Sequence, residues 1–499
     1  MLKVAPLFTD RCVLPMGKEL RVFGEADGPV EVSLRSQDAH LLSRAEAEPV
    51  NGRFLALLPA VDSAATRCTL CVRCRDEELT AGDVAIGLVF LAGGQSNMEL
   101  ELQNADEGRS LIQAHADDEL RYYNVPKRAL WDEEAVQAES RCRWERIAPG
   151  TAQDMSAVAY FFARRVRRET GLPVGVIDCY WGGTSITCWM DEEALSRISE
   201  GRRYQAIWQE QCGGKSMAQF KAEWAAFEQE MADWNERCAA LRAQNPAISW
   251  DELTARAGLC PWHPPVGPGS PYRPAGLCET MLKRVAPAAL SAMLFYQGEE
   301  DAARTDCYEQ LLMQMTLRWR ELFMDMELPF INMQLCMWID SGAEDDGSWA
   351  RLRMAQQKAQ RQIANSALCC IIDCGEKDNI HPTDKRTPGE RMADVWLDHT
   401  GIRKTPGCPR ALRKATEGHT LRVTCSAPLT LRGGEVELFE VAGADGVYHA
   451  AKAELCGNGI VLSSTAVARP VMARYAYVAY AKVHVYGENG LPLMPFDLK

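Results

Sequence analysis

Long apolar runs are missing from this 499-residue chain, and none reaches eighteen consecutive residues. Because a helix needs about 20 apolar residues to cross the hydrocarbon core of a bilayer, no membrane-spanning helix is expected. Positive charge is also in short supply. Lys and Arg number 55 against 68 Asp and Glu, a net charge of −13, which argues against nucleic acid or an anionic membrane surface as a partner. The opening Met1-Leu2-Lys3-Val4-Ala5-Pro6 lacks the sustained apolar stretch of a secretory signal. Nineteen cysteines cannot all pair within the chain, and many sit in apolar runs such as Leu368-Cys369-Cys370-Ile371, where cysteine packs as a small hydrophobe. The expectation is a reduced, cytoplasmic protein. Cys68-x-x-Cys71-x-x-Cys74 has no fourth ligand at a recognisable spacing, and a strand would turn Cys71 away from the other two. It reads as structural, so neither a metal nor an organic cofactor is expected. Internal repeats and low-complexity tracts are absent.

Patterning divides the chain into three. Residues 1–84 carry short segments broken by Gly, Pro and Asp: Leu20–Gly24, Pro29–Leu34 and Cys68–Val72, an all-β pattern. From 85 to 405 apolar strands alternate with helical stretches, the signature of α/β architecture with a parallel sheet flanked by helices. Five strands are readable, near 86–92, 174–179, 291–296, 329–335 and 367–373. Residues 406–499 turn β-rich again, with strands expected at Val436–Val441 and from Tyr475 to Val485. An insertion at about 191–270 contains Met217, Phe220, Trp224, Phe227, Met231, Trp234, Cys238 and Leu241 at alternating spacings of three and four, which predicts a long helix with one aromatic-rich seam. Such a seam packs against its own domain. The alternative is a helical hairpin, with about 192–212 as its other arm, that covers a site or makes a homodimer. His263, in the Pro-rich loop ending the insertion, is a possible substrate-side group.

Four of the five strands end in chemistry. Leu88-Val89-Phe90-Leu91-Ala92 runs into Gly94-Gln95-Ser96-Asn97, and ligands of open α/β sheets bind beyond the carboxyl ends of the strands. A serine there needs a base to become a nucleophile. Beyond Cys369–Asp373 stands Asp378-Asn379-Ile380-His381. An Asp three residues before a His can hold Nδ1 and leave Nε2 free for the serine proton. Thr387-Pro388-Gly389-Glu390 reads as a capping box that starts the next helix. Val174–Ile177 leads to Trp181-Gly182-Gly183-Thr184, and Ser291–Tyr296 leads to Gln297-Gly298-Glu299. Backbone N–H groups at Gly182 or Gly183 and the Gln297 amide are suitable donors to an oxyanion.

Together the blocks Gly94-Gln95-Ser96-Asn97-Met98, Trp181-Gly182-Gly183-Thr184, Tyr296-Gln297-Gly298-Glu299 and Asp378-x-x-His381 resemble those of the sialate O-acetylesterase family, a branch of the SGNH (GDSL-like) hydrolases. Pro6–Leu14, Ser156–Phe162, Trp319-Arg320, Leu328–Phe330 and Gly490–Phe496 extend the resemblance over most of the chain. It implies an SGNH-hydrolase-like core with N-terminal and C-terminal β-sandwich-like modules. It further implies Ser96 as nucleophile, His381 as general base and acid, and Asp378 as its orienter. Oxyanion donors would be Ser96 N–H, Gly183 in preference to Gly182, and Gln297, with Gln95, Asn97 and Glu299 lining the oxyanion and substrate site. The implied activity is hydrolysis of acetyl esters on a small acetylated sugar or oligosaccharide, without a cofactor. Alternatives are an acetyl-xylan or other acetylated-oligosaccharide esterase, and a non-catalytic carbohydrate-binding protein. Glu300-Asp301 departs from the Ser-Asn common in that branch, and Arg273 is a candidate for holding a sialate carboxylate. An α/β-hydrolase elbow is disfavoured, because it needs glycine where Met98 stands.

Overall fold

A computed structural model describes residues 1–245, 248, 250–340 and 342–499; positions 246, 247 and 249 of the expected insertion, and 341, lie outside the described residues. The architecture is mixed α/β, with one large mixed sheet and separate antiparallel sheets towards both termini.

The central strands are β1 (Glu77–Gly94), β2 (Asp117–Asn124), β3 (Glu145–Ile147), β4 (Val174–Tyr180), β5 (Ala292–Tyr296), β6 (Phe330–Met333) and β7 (Ser366–Cys369). They lie in the order β3-β2-β4-β1-β5-β6-β7. All these neighbours are parallel except β3, which runs antiparallel to β2. The five expected strands are present, but the sheet is mixed rather than wholly parallel. The unexpected strand β2 begins Asp-Asp-Glu and contains Arg121, a sequence that reads as solvent-facing. Arg121 is nevertheless fully buried, because its guanidinium donates to the carbonyls of Arg11 and Asp118, each at 3.0 Å.

The first half of β1 pairs antiparallel with Ala65–Cys74, which pairs onward with Val30–Arg35. One strand therefore runs unbroken through positions 84 and 85. Cys68 and Cys74 face the interior while Cys71 is only half-buried, as strand alternation requires. A second N-terminal sheet joins Leu2–Val4, Leu20–Ala26 and Arg53–Leu58.

The helices that bear on the site are α1 (Ser96–Glu99), α2 (Ala157–Thr170), α3 (Ser199–Cys212), α4 (Met217–Gln244), α5 (Trp250–Ala257), α6 (Thr305–Leu322), α7 (Ser348–Gln362) and α8 (Arg386–His399). Phe90 of β1 meets Phe162 of α2 and Trp396 of α8 edge-on at 4.8 and 4.9 Å. On the opposite sheet face, Phe295 meets Trp319 of α6 at 5.6 Å. Buried aromatics thus fix helices to both faces, each edge-on pair adding about 0.5–1.5 kcal/mol beyond its burial.

Helix α4 has the expected length and a Ser216–Gln219 capping box. Its seam is only partly covered. Phe220 packs on the backbone at Gly267 and Gly269, while Trp234 and Cys238 close with Leu253 and Ala257 of α5 into a cluster of their own. Beyond position 406 the chain is β-rich as expected, but no strand spans Tyr475 to Val485. Met472–Tyr475 ends at Ala476, whose φ is +53°. The following loop turns back to the core, where Asp345 accepts from Ala479 N–H at 2.7 Å and Arg353 donates to the Ala476 carbonyl at 3.3 Å. The alternation there reflects a loop folded onto the domain. Among the described residues, no helix is long and apolar enough to cross a membrane.

Candidate active site

Strands β4, β1 and β5 end at one level, with Tyr180 and Tyr296 both in register with Gly94. This is the switch point of the sheet: the chain leaves β1 first for β2 and β4 on one side, then for β5 on the other, and such crevices are where α/β sheets bind ligands. Gly94 has φ +141°, and a side chain there would run into the Tyr296 carbonyl, so only glycine fits. Gln95 N–H donates to that carbonyl at 3.1 Å, and Trp181 N–H donates to the Gly94 carbonyl at 3.2 Å. Partly exposed Ser96 then opens α1.

The glycine turn after β4 lies directly over the serine. A Cβ built on Gly182 would stand 3.3 Å from the Ser96 Cβ. Gly182 N–H is already committed to the Glu99 carboxylate, which also pairs with Lys127. Gly183, at φ +70°, fits beneath the Trp262 indole only because it lacks a Cβ. Among the described residues, the backbone N–H groups of Ser96 and Gly183 have no hydrogen-bond partner.

Expected substrate groups that belong instead to the framework are Gln95, Asn97, Gln297 and Glu299, all buried. Gln95 Oε1 accepts from the N–H groups of Gly298 and Glu300 at 3.2 and 3.4 Å, which fastens the β5 loop to the serine turn. Gln297 is a correction. Its Nε2 donates to the Thr184 carbonyl at 3.0 Å and to Asp301 Oδ2 at 2.6 Å, while Oε1 accepts from the Tyr308 hydroxyl at 3.0 Å. Both amide hydrogens are used, leaving none for an oxyanion. Asp301, fully buried, also accepts from Ile186 N–H at 2.8 Å and Tyr204 OH at 2.6 Å. Burial raises its pKa and that of Glu299, and pushes Glu300 up to about 7.

The segment bearing His381 reaches the serine turn through Asn97, whose Nδ2 donates to the Ile380 carbonyl at 2.9 Å and to Glu299 Oε1 at 2.7 Å. The residues flanking that first bond in the chain are Ser96 and His381. Among the described residues, neither the Ser96 hydroxyl nor the His381 imidazole has a hydrogen-bond partner. Burial, reinforced by the charge of Lys385, lowers the His381 pKa to about 4.

The Asp378 carboxylate forms neither an ion pair nor a hydrogen bond with His381 in this structure. The local turn explains this. Asp378 has φ +63°, its N–H donates to the Ile339 carbonyl at 3.3 Å, and His381 N–H is taken by Asn379 Oδ1 at 3.1 Å. Asp378 Oδ1 is left buried without a partner. The expected capping box also shifts. Helix α8 begins at Arg386, and the Asp384 carboxylate, not the Thr387 hydroxyl, supplies the capping acceptor, taking the Thr387 N–H at 3.0 Å. Arg273 is held by the main chain, with one guanidinium nitrogen donating to the Ala129 and Ser270 carbonyls. His263 is exposed on its loop. Lys385, deeply buried beside Asn97, gave no signal in the sequence: a lysine four residues after a histidine has no distinctive spacing.

Residues 263–398 match the family model described as carbohydrate esterase, sialic acid-specific acetylesterase. The resemblance read from the sequence is thereby shown for that stretch of the chain. Among individual proteins, the chain is 23% identical over 340 residues to sialate O-acetylesterase of Mus musculus, which is 63% of this chain and 56% of that protein. The same enzyme of Rattus norvegicus is 22% identical over 390 residues, 73% of this chain and 66% of the relative. The chain thus spans 56% and 66% of the lengths of these curated relatives. A carbohydrate acetylesterase from Xanthomonas citri matches in structure with a TM-score of 0.77 at 26% identity, over 100% of this chain and 99% of that one.

Proposed function

We propose that this protein is a carbohydrate O-acetylesterase with an SGNH-hydrolase-like core, hydrolysing acetyl esters of sugars through an acetyl-enzyme. The observation that carries the reading is the pairing of a partly exposed serine with two unpaired backbone N–H groups, those of Ser96 and Gly183, beside the segment bearing His381. Ser96 Oγ attacks the acetyl carbonyl as His381 takes its proton. The N–H groups of Ser96 and Gly183 stabilise the oxyanion. Collapse expels the sugar oxygen, which receives the proton from His381, and water repeats the sequence to release acetate. Asp378, with its orphaned buried oxygen three residues away, is the carboxylate that pairs with the imidazolium as charge develops; catalytic hydrogen bonds are often loose before substrate binds.

Replacing Ser96 tests this directly. Ser96→Ala is expected to lose on the order of a thousandfold or more in kcat on a chromogenic acetate, and to lose labelling by a serine-reactive fluorophosphonate. Near-wild-type turnover in the pure variant would remove Ser96 from the mechanism.

A second reading within the class is an esterase for acetylated xylan fragments or another neutral acetylated oligosaccharide. It is favoured by Arg273, the cation expected for a sialate carboxylate, being bonded to backbone carbonyls. Acetate released from a panel of acetylated sialate and neutral acetylated glycosides separates the two.

A further inference from the structure

Lys385 is 2% exposed, and burying an ammonium is expensive unless it is well bonded. Its Nζ donates to Asn97 Oδ1 at 2.6 Å and lies 6.0 Å from the centre of the Tyr296 ring. The other hydrogen bonds of Asn97 fix what this contact does. With Oδ1 facing an ammonium, Nδ2 must point the opposite way, and its two hydrogens go to Glu299 Oε1 and the Ile380 carbonyl. The reversed amide would set its oxygen against a carboxylate and a carbonyl, and its NH2 against a cation. One amide therefore joins three segments: the turn carrying Ser96, the loop after β5 and the stretch carrying His381. Lys385 and Glu299 form no ion pair with each other, because the Asn97 amide stands between them.

We propose that Lys385 is a positioning residue for the Ser96–His381 chemistry, acting through the Asn97 amide to hold the serine turn against the histidine segment. The proposal rests on the roles given above to Ser96 and His381. A second consequence follows from charge. Lys385 disfavours the protonated imidazole and helps keep His381 neutral in mild acid. The other charged groups acting on the pair are Glu299 on the β5 loop and Asp384 on the histidine's own segment, both facing the ammonium. Cys336 and Cys374 complete the surroundings of the ammonium, whose own pKa burial lowers to about 8.

The test compares Lys385→Met, which removes both hydrogen bond and charge, with Lys385→Gln, which keeps an N–H donor and removes only the charge. Activity on a chromogenic acetate is normalised to sites labelled by fluorophosphonate. For Lys385→Met, kcat is expected to fall on the order of thirtyfold with KM little changed, since small misplacements cost up to about a hundredfold. The acid limb of kcat/KM should move to higher pH, because the imidazole loses a repelling neighbour. Lys385→Gln should recover much of kcat yet show the same displaced limb. If Lys385 served only as counter-ion to Glu299, the double variant Lys385→Met/Glu299→Gln would restore kcat, and that result would overturn the proposal. So would a Lys385→Met enzyme with kcat and acid limb unmoved. If Lys385→Met does not fold, the limb of Lys385→Gln decides the matter. A wild-type protein that neither turns over acetate esters nor labels at Ser96 would sink the esterase reading as well, a result distinct from an active enzyme indifferent to Lys385.

Discussion

The two sides of the candidate site are built differently. Ser96 follows a strand end without slack, stitched by backbone hydrogen bonds to β4 on one side and β5 on the other. His381 comes twelve positions after β7 ends at Cys369, in a segment with no regular structure. It is tied down by side chains: Asn379 to its own N–H, Asn97 to Ile380, and Lys385 to Asn97. The nucleophile side is therefore fixed by topology and glycine, the base side by a buried polar network. Substitutions on the first should act through backbone geometry, and those on the second through charge and hydrogen bonding.

The largest effect short of removing Ser96 is expected at Gly183. Alanine there meets a φ of +70° and the Trp262 indole at once. Relief by backbone rotation would redirect the one N–H of the glycine pair that is unpaired. Loss of an oxyanion donor costs about a hundredfold or more in kcat, so Gly183→Ala should fall by on the order of that factor on a small acetate ester, with KM nearly unchanged. The corresponding Gly182→Ala has space only 3.3 Å from Ser96 Cβ, but its N–H already serves Glu99. A Gly183→Ala enzyme at wild-type kcat would move the oxyanion hole elsewhere.

Asp378 tests the other side. If its carboxylate pairs with the imidazolium only as charge develops, Asp378→Asn should lower kcat by on the order of tenfold or more. It should leave the acid limb of kcat/KM where it was, because that limb reports the free enzyme, in which Asp378 does not touch His381. The limb itself should lie well below the ordinary histidine value of about 6.5. Burial first and Lys385 second depress the imidazole to about 4, so the neutral, proton-accepting form persists into acid. Activity is then lost only as pH falls through that lower value. A limb near pH 6.5 would instead require an Asp378–His381 contact in the free enzyme.

The same contrast explains what the sequence could tell. Leu88–Ala92, Val174–Ile177 and Met293–Tyr296 are apolar runs ending in glycine turns, so their placement around one crevice was legible from pattern alone. Strand β2 was not, because a fully buried Arg121 resembles a surface residue until its carbonyl partners are known. Residue types at the blocks were legible, but their orientation was not. Gln297 and Asn97 look like substrate ligands in one dimension, whereas in three their amides are taken up by neighbours far away in the chain, and Glu299 gives one oxygen to Asn97. Lys385 is the extreme case, since its meaning lies wholly in a contact with a residue 288 positions earlier.

The smallest effect is expected farthest from the crevice. Trp234 donates its indole N–H to the Gly258 carbonyl at 2.9 Å and packs with Cys238, Leu253 and Ala257, a cluster separate from the main core. Large-to-small changes in a core cost about 3–5 kcal/mol for tryptophan, but here the loss falls on the contact between α4 and α5, not on the sheet. Trp234→Ala should therefore expose the 217–257 region to limited proteolysis while kcat on a small acetate stays within about twofold, since separate structural units can open locally. Phe220 and Trp224 lie at the other end of the same seam. Trp224 approaches Tyr272 at 6.3 Å, and Tyr272 meets Trp262 edge-on at 5.8 Å, so an aromatic path runs from α4 to the indole over Gly183. If loosening the far end of α4 lowered kcat severalfold, that path would be rigid enough to couple the insertion to the serine turn. The boundary between topology-fixed and side-chain-fixed parts of the site would then extend beyond the sheet.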